Sequence, residues 1–159
     1  MVAQTSYSIN TAKRFHGSLS DLRDSEVETY AAEGGDIGFG VVVSAGTADD
    51  QAVIGGDNTG FGITIRDLGI EGAAPGDPTI QYSEKDPMSV LRRGSINVAI
   101  PAGGAKGAAL KYNDTTGVID AGAPGAGETA LNPAAVELLT TVAAGEVGVI
   151  RLSGGPLVV

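Results

Sequence analysis

The sequence predicts an all-β fold, an antiparallel sandwich or barrel, and three observations carry that expectation. Short runs rich in Val, Ile and Thr recur along the chain with glycine turns between them. Glycine fills 25 of the 159 positions but keeps no three-residue register, which excludes collagen. In the clearest run Ile96, Val98 and Ile100 alternate with Ser95, Asn97 and Ala99 and stop at Pro101. That period of two belongs to a strand with one buried and one wet face. A chain of 159 residues suits one domain with its own core. Aromatics are only 4% of it, so Val, Ile, Leu and Ala must supply that core.

The elements follow in order. Residues 1–18 are polar, with Tyr7, Ile9 and Phe15 too loosely spaced to build an element and Lys13, Arg14 and His16 holding the early positive charge. They read as an extended arm leaving a single β domain over residues 19–159. Ser25 and Glu28 have the form of a helix-capping box, but Val27, Thr29 and Ala31 share one parity, and a strand is preferred, ended by Gly34-Gly35. Strands are expected at Ile37–Val43 and Gly60–Asp67. A local echo links them, Gly34-Gly35-Asp36 before Gly38-Phe39-Gly40 and Gly55-Gly56-Asp57 before Gly60-Phe61-Gly62. Two copies are too few for a solenoid, and similar glycine turns account for the echo. The breaker-rich stretch Glu71–Pro78 is a loop. Ala108–Ile119 reads as a hairpin, 122–127 as a loop and Val147–Leu152 as a last strand.

One segment satisfies two patterns. Asn132-Pro133 ahead of Ala134–Leu139, with Gly145 beyond, has the N-cap, N1 proline and C′ glycine of a helix. Thr140-Thr141-Val142 argues for a strand instead.

Composition narrows function. Ten basic against nineteen acidic side chains leave a net charge of −9, and each phosphate contact needs a cation, so neither nucleic acid nor an anionic membrane is an expected partner. No cysteine is present, which removes disulfides, thiolate metal sites and cysteine nucleophiles. The start lacks the order of a secretion signal and no apolar run reaches the length of a membrane span, so the chain reads as soluble. The single histidine, His16, would have to be the base of a Ser-His-Asp triad, yet it lies beside Arg14 in the arm, and no Gly-x-Ser-x-Gly elbow occurs. Gly103-Gly104-Ala105-Lys106-Gly107 has the composition of a phosphate loop without its spacing. Asp57-Asn58-Thr59-Gly60 opens like a calcium loop, but Phe61 and Leu68 occupy its fifth and twelfth ligand positions. No catalytic residue, metal site or cofactor is expected. Arg92-Arg93 is the other local basic pair, read as two solvated side chains at a strand end or as a partner contact.

An ordered series of phrases then resembles a known family. The arm is followed by Gly17-Ser18-Leu19-Ser20-Asp21, Ile37–Val43 with Gly46-Thr47, and Gly60-Phe61-Gly62-Ile63. Next come Pro87-Met88-Ser89-Val90-Leu91-Arg92-Arg93-Gly94-Ser95-Ile96-Asn97-Val98, Gly107–Tyr112 with Thr116-Gly117, and Ala144–Leu152. In this order they resemble the cement (capsid decoration) proteins on the heads of tailed bacteriophages, which have a jelly-roll body. Glu71–Pro78 departs from that pattern as an insertion.

The resemblance implies a jelly-roll-like antiparallel sandwich or barrel in which Val136–Val142 is a strand. It implies a non-enzymatic virion protein on the outer surface of the phage head, made in the host cytoplasm, that binds the major capsid protein and bridges neighbouring copies. Tyr7, Ile9, Lys13, Arg14 and Phe15 are the expected arm contacts, and Arg92 and Arg93 a further partner contact. Self-association as a two-fold dimer is favoured over a trimer, since such dimers are the commonest oligomers. The alternatives are a jelly-roll carbohydrate-binding or adhesin module, which needs an exposed platform from Tyr30, Tyr82 or Tyr112, and a small hydrolase, which needs clustered carboxylates.

Overall fold

The computed structural model describes residues 15–67 and 81–158. These form β1 (Leu19–Glu33), β2 (Val42–Ala45), β3 (Gln51–Ile54), β4 (Gly60–Thr64), β5 (Pro87–Ile100), β6 (Leu110–Asn113), β7 (Ile119–Ala121), β8 (Glu128–Ala130), β9 (Val136–Leu138) and β10 (Glu146–Ser153). No helix occurs among the described residues. Seven strands make one sheet in the order β1-β3-β2-β4-β5-β10-β9, and β7-β6-β8 make a second. All strand pairings are antiparallel except a short parallel contact of β1 with β3, giving the sandwich-like all-β fold expected.

The long strand β5 belongs to both halves of this molecule. Its first half lies between β1 and β4, with Leu91 opposite Val27 on one side and Ile63 on the other. Because β1 also reaches β3, the strands β1-β3-β2-β4-β5 close on themselves, which leaves few free edges there. Ile37, Phe39, Val43, Tyr82, Met88 and Val90 form the core of this ring. The second half of β5 pairs with β10 from Arg93 to Ile100, and β10 pairs with β9. Ile96, Val98, Ile100 and Ile150 of this sheet pack in one core with Leu110, Tyr112 and Ile119 of the small sheet. That is the face-to-face packing of a sandwich.

Local chemistry explains the connections. Gly34 and Gly35 leave β1 and Gly55 and Gly56 leave β3, all with φ between 68° and 126°, where only glycine is at ease. Glu33 pairs with Val53, so the two turns exit neighbouring strands side by side, and the sequence echo marks them. In the β6–β7 hairpin the Asn113 Oδ1 accepts the amides of Thr115 and Thr116 at 3.0 and 2.9 Å.

Three expectations need correction. The run Ile37–Val43 is a strand only from Val42, because Gly40 (φ 64°) turns the chain and Ile37 makes an isolated bridge to Tyr82. The face of Ser95, Asn97 and Ala99 is not wet. Gly17 and Ser18 carry the pairing of β1 on to Asn97, through Gly17 N–H to the Asn97 carbonyl (2.7 Å) and Asn97 N–H to the Ser18 carbonyl (2.8 Å), and Asn97 is left 5% exposed. Finally, the helix signals at Asn132 are obeyed for a single turn. Its side chain accepts the Ala134 amide at 3.0 Å and its carbonyl accepts those of Ala135 and Val136. Pairing of Val136–Leu138 with β10 then takes the backbone into a strand, shorter than the expected Val136–Val142 because Val142 makes only an isolated bridge to Gly104.

Candidate functional site

The expected contact residues fall in two places. Tyr7, Ile9, Lys13 and Arg14 lie outside the described residues, as does the stretch Glu71–Pro78. Phe15 is 62% exposed and starts a stack in which the Arg66 guanidinium stands 5.6 Å from both the Phe15 and Phe39 ring centroids, within cation–π range. Residues 16–18, assigned to the arm by composition, are bound to the body. The His16 Nδ1 accepts the Ala99 N–H at 2.9 Å, and the ring lies so close to Gly40 that a Cβ there would overlap it. The Arg66 amide donates to the Gly17 carbonyl at 2.7 Å.

An accepting Nδ1 requires the neutral Nε2–H tautomer. Burial holds the imidazole below its usual pKa, a hydrogen bond with the Phe39 backbone works the other way, and the Arg66 charge lowers it further. His16 is therefore a neutral wedge between β5 and the turn at Gly40. Sequence reasoning missed it because a lone polar ring beside Arg14 carries no periodic signal.

Arg92 and Arg93 sit in the middle of β5, not at a strand end, and neighbours on a strand point to opposite faces. The Arg92 guanidinium lies 4.8 Å from the Phe61 ring centroid, and its Nε is 3.7 Å from Glu28 Oε2. The same carboxylate oxygen accepts the Tyr30 hydroxyl at 2.5 Å, a bond that raises the phenol pKa. The Tyr30 and Phe61 rings are 5.0 Å apart. Arg92 thus lies in a network over the ring core.

Arg93 is exposed and forms no ion pair with a described residue. Its stem passes Gly154 (φ 84°), where a Cβ would come within 3.3 Å of the Arg93 Cδ. Arg93 borders a cleft of about 510 Å³ shared with Arg23, Arg151, Asp21, Asp24 and Leu152. The cleft lies beside a break in the β1–β5 ladder, where pairing jumps from Asp21↔Ser95 to Glu26↔Arg93, so the chain of β1 bulges away. Arg23 pairs with Asp21 at 3.0 Å and Arg151 with Glu137 at 2.6 Å.

The remaining candidates have structural settings. Asn58 (φ 52°) donates from Nδ2 to Asp57 Oδ1 at 2.6 Å within a turn. Tyr82 and Tyr112 are fully buried and present no stacking platform for a sugar. Among the described residues no three His, Asp or Glu side chains converge as a metal site would require.

Comparison with known proteins follows this geometry. A family model described as structural cement protein (E217 gp24/Pam3 gp6) matches residues 3–153. A chain of the solved capsid of the Myoviridae phage XM1 superposes with a TM-score of 0.69 at 18% identity, covering 96% of this chain and 98% of that one. No curated protein sequence matches.

Proposed function

Since the chain belongs to the structural cement protein family of phages, we propose that it binds the capsid exterior and bridges neighbouring major capsid proteins. The observation that carries this reading is the family match across residues 3–153, on a fold shared end to end with a chain of a phage capsid. The physics is compatible. A packed head is pressed outward by its DNA, and a ligand that binds only the assembled shell stabilises it by mass action. Contacts of about 1,600 Å² in total are the scale of a stable interface, and repetition over the shell multiplies their effect.

In this reading the arm, with Tyr7, Ile9, Lys13, Arg14 and Phe15, reaches a neighbouring subunit, while the body rests on the seam and self-associates as a two-fold pair. The arm leaves the body at a fixed point, because Arg66 stacks on Phe15 and His16 is wedged behind it. A clean deletion therefore removes residues 1–14 and spares His16. Purified protein is added to expanded heads that lack it, and occupancy and rupture temperature are measured. The full chain is expected to coat the heads and raise that temperature, and the deletion to lose most of the occupancy. Failure of the full chain to coat any expanded head overturns the reading, and unchanged occupancy of the deletion removes the arm from it.

A further inference from the structure

Adjacent arginines in β5 have different surroundings. Arg92 lies over Phe61 and beside Glu28, so its charge is matched within the molecule. Arg93 points the other way, exposed and in no ion pair with a described residue, although Glu26 stands opposite it in the β1–β5 ladder. In a chain of net charge −9, three arginines, Arg23, Arg93 and Arg151, line one cleft. Two of them hold their own acids, Asp21 and Glu137. The third runs its stem past Gly154 and shares the cleft with Leu139 and Ser153. An arginine fork matches a carboxylate with two parallel hydrogen bonds, and the half-buried Leu139 suits the methylene stem of the residue carrying that carboxylate.

We propose that the Arg93 cleft between the β1 bulge and β10 receives an acidic side chain of the shell protein that this chain binds. The inference rests on the cement reading and names the partner chemistry at one contact. An acidic protein thus meets an acidic side chain here, through Arg93 in a cleft of mixed charge. Asp24 stands on the bulge at the same cleft with φ 55°, and its charge opposes the incoming carboxylate.

The test titrates expanded heads with the wild-type chain and with Arg93→Ala, Arg93→Lys, Asp24→Asn and Lys85→Gln. Lys85 lies in the turn before β5 and changes net charge by the same amount as Arg93→Ala, away from the cleft. Arg93→Ala is expected to weaken binding about tenfold, the usual scale for a hydrogen bond to a charged group. Arg93→Lys should recover part of that loss and Asp24→Asn should tighten binding, while Lys85→Gln should leave it near wild type. An unfolding midpoint unchanged in Arg93→Ala confirms that the fold is intact. If wild type binds and Arg93→Ala binds equally well, or Lys85→Gln weakens binding as much, the cleft assignment is wrong. If wild type does not bind, the cement reading fails first.

Discussion

Tyr82 of the ring half and Tyr112 of the sandwich half are both fully buried, and both turn their hydroxyl groups to backbone. The Tyr82 hydroxyl donates to the Ile65 carbonyl at 2.6 Å and accepts the Ser89 amide at 3.4 Å. The acceptor directly follows β4 and the donor lies on β5, so the hydroxyl ties the Tyr82 segment to two strands of the ring. The Tyr112 hydroxyl donates to the Gly56 carbonyl at 2.6 Å and accepts the Gly60 amide at 3.3 Å. It starts on β6 and ends in the turn between β3 and β4, so it ties the small sheet to the ring. The Asp114 carbonyl accepts the Gly56 amide nearby, and Thr129 receives the Asn58 amide while donating to Asp114. One half closes by strand pairing, whereas the other is attached through its apolar core and a polar seam.

The strongest way to break this comparison is a cavity in the shared strand. Ile96→Ala removes a fully buried side chain and should cost about 2–5 kcal/mol, read from urea unfolding. Because β5 runs through both halves, one cooperative transition is expected, and two separate transitions would mean the halves are independent units. A finer test uses Tyr82→Phe and Tyr112→Phe. Each leaves a buried backbone carbonyl short of a donor, at about 1–3 kcal/mol. If the two tyrosines act on separate regions, the double variant should equal the sum within about 0.5 kcal/mol; a larger coupling would join the seam to the ring core.

The smallest expected effect concerns His16. Burial holds its folded pKa below the usual imidazole value of about 6.5, so below that pH the unfolded chain binds more protons than the native one. Stability is therefore full above the unfolded pKa, falls as pH drops through it, and levels off beneath the folded pKa. Unfolding midpoints measured from about pH 7.5 to about pH 5 should show this decline, above the range of ordinary carboxylates. His16→Gln should flatten it, and an undiminished slope in that variant would assign it to other groups.

Much of the fold was legible in residue patterns. The alternation from Ser95 to Ile100, the hairpin around Asn113 and the Gly-Gly steps each encode a strand or turn within a few neighbours, so they read correctly in isolation. The site was legible only in name. Arg92-Arg93 stood out as a basic pair, but its partners Phe61, Glu28 and Gly154 are tens of residues away along the chain. Their distance hid the fact that Arg92 forms an ion pair and Arg93 none among the described residues. The register jump between Asp21 and Glu26, which borders the cleft, has no local signature beyond an unremarkable polar run.

By itself, then, the amino-acid sequence determined the strand class, the turns and the kinship, because these depend on short-range periodicity, on glycine's access to positive φ and on an ordered series of phrases. Tertiary structure alone decided that His16 is a wedge, that the signals at Asn132 yield one turn followed by a strand, and that Arg92 rather than Arg93 forms an ion pair among the described residues. Each of those outcomes depends on a group brought close by folding: the Ala99 backbone amide on β5, the ladder of β10, or the acid and ring beside Arg92.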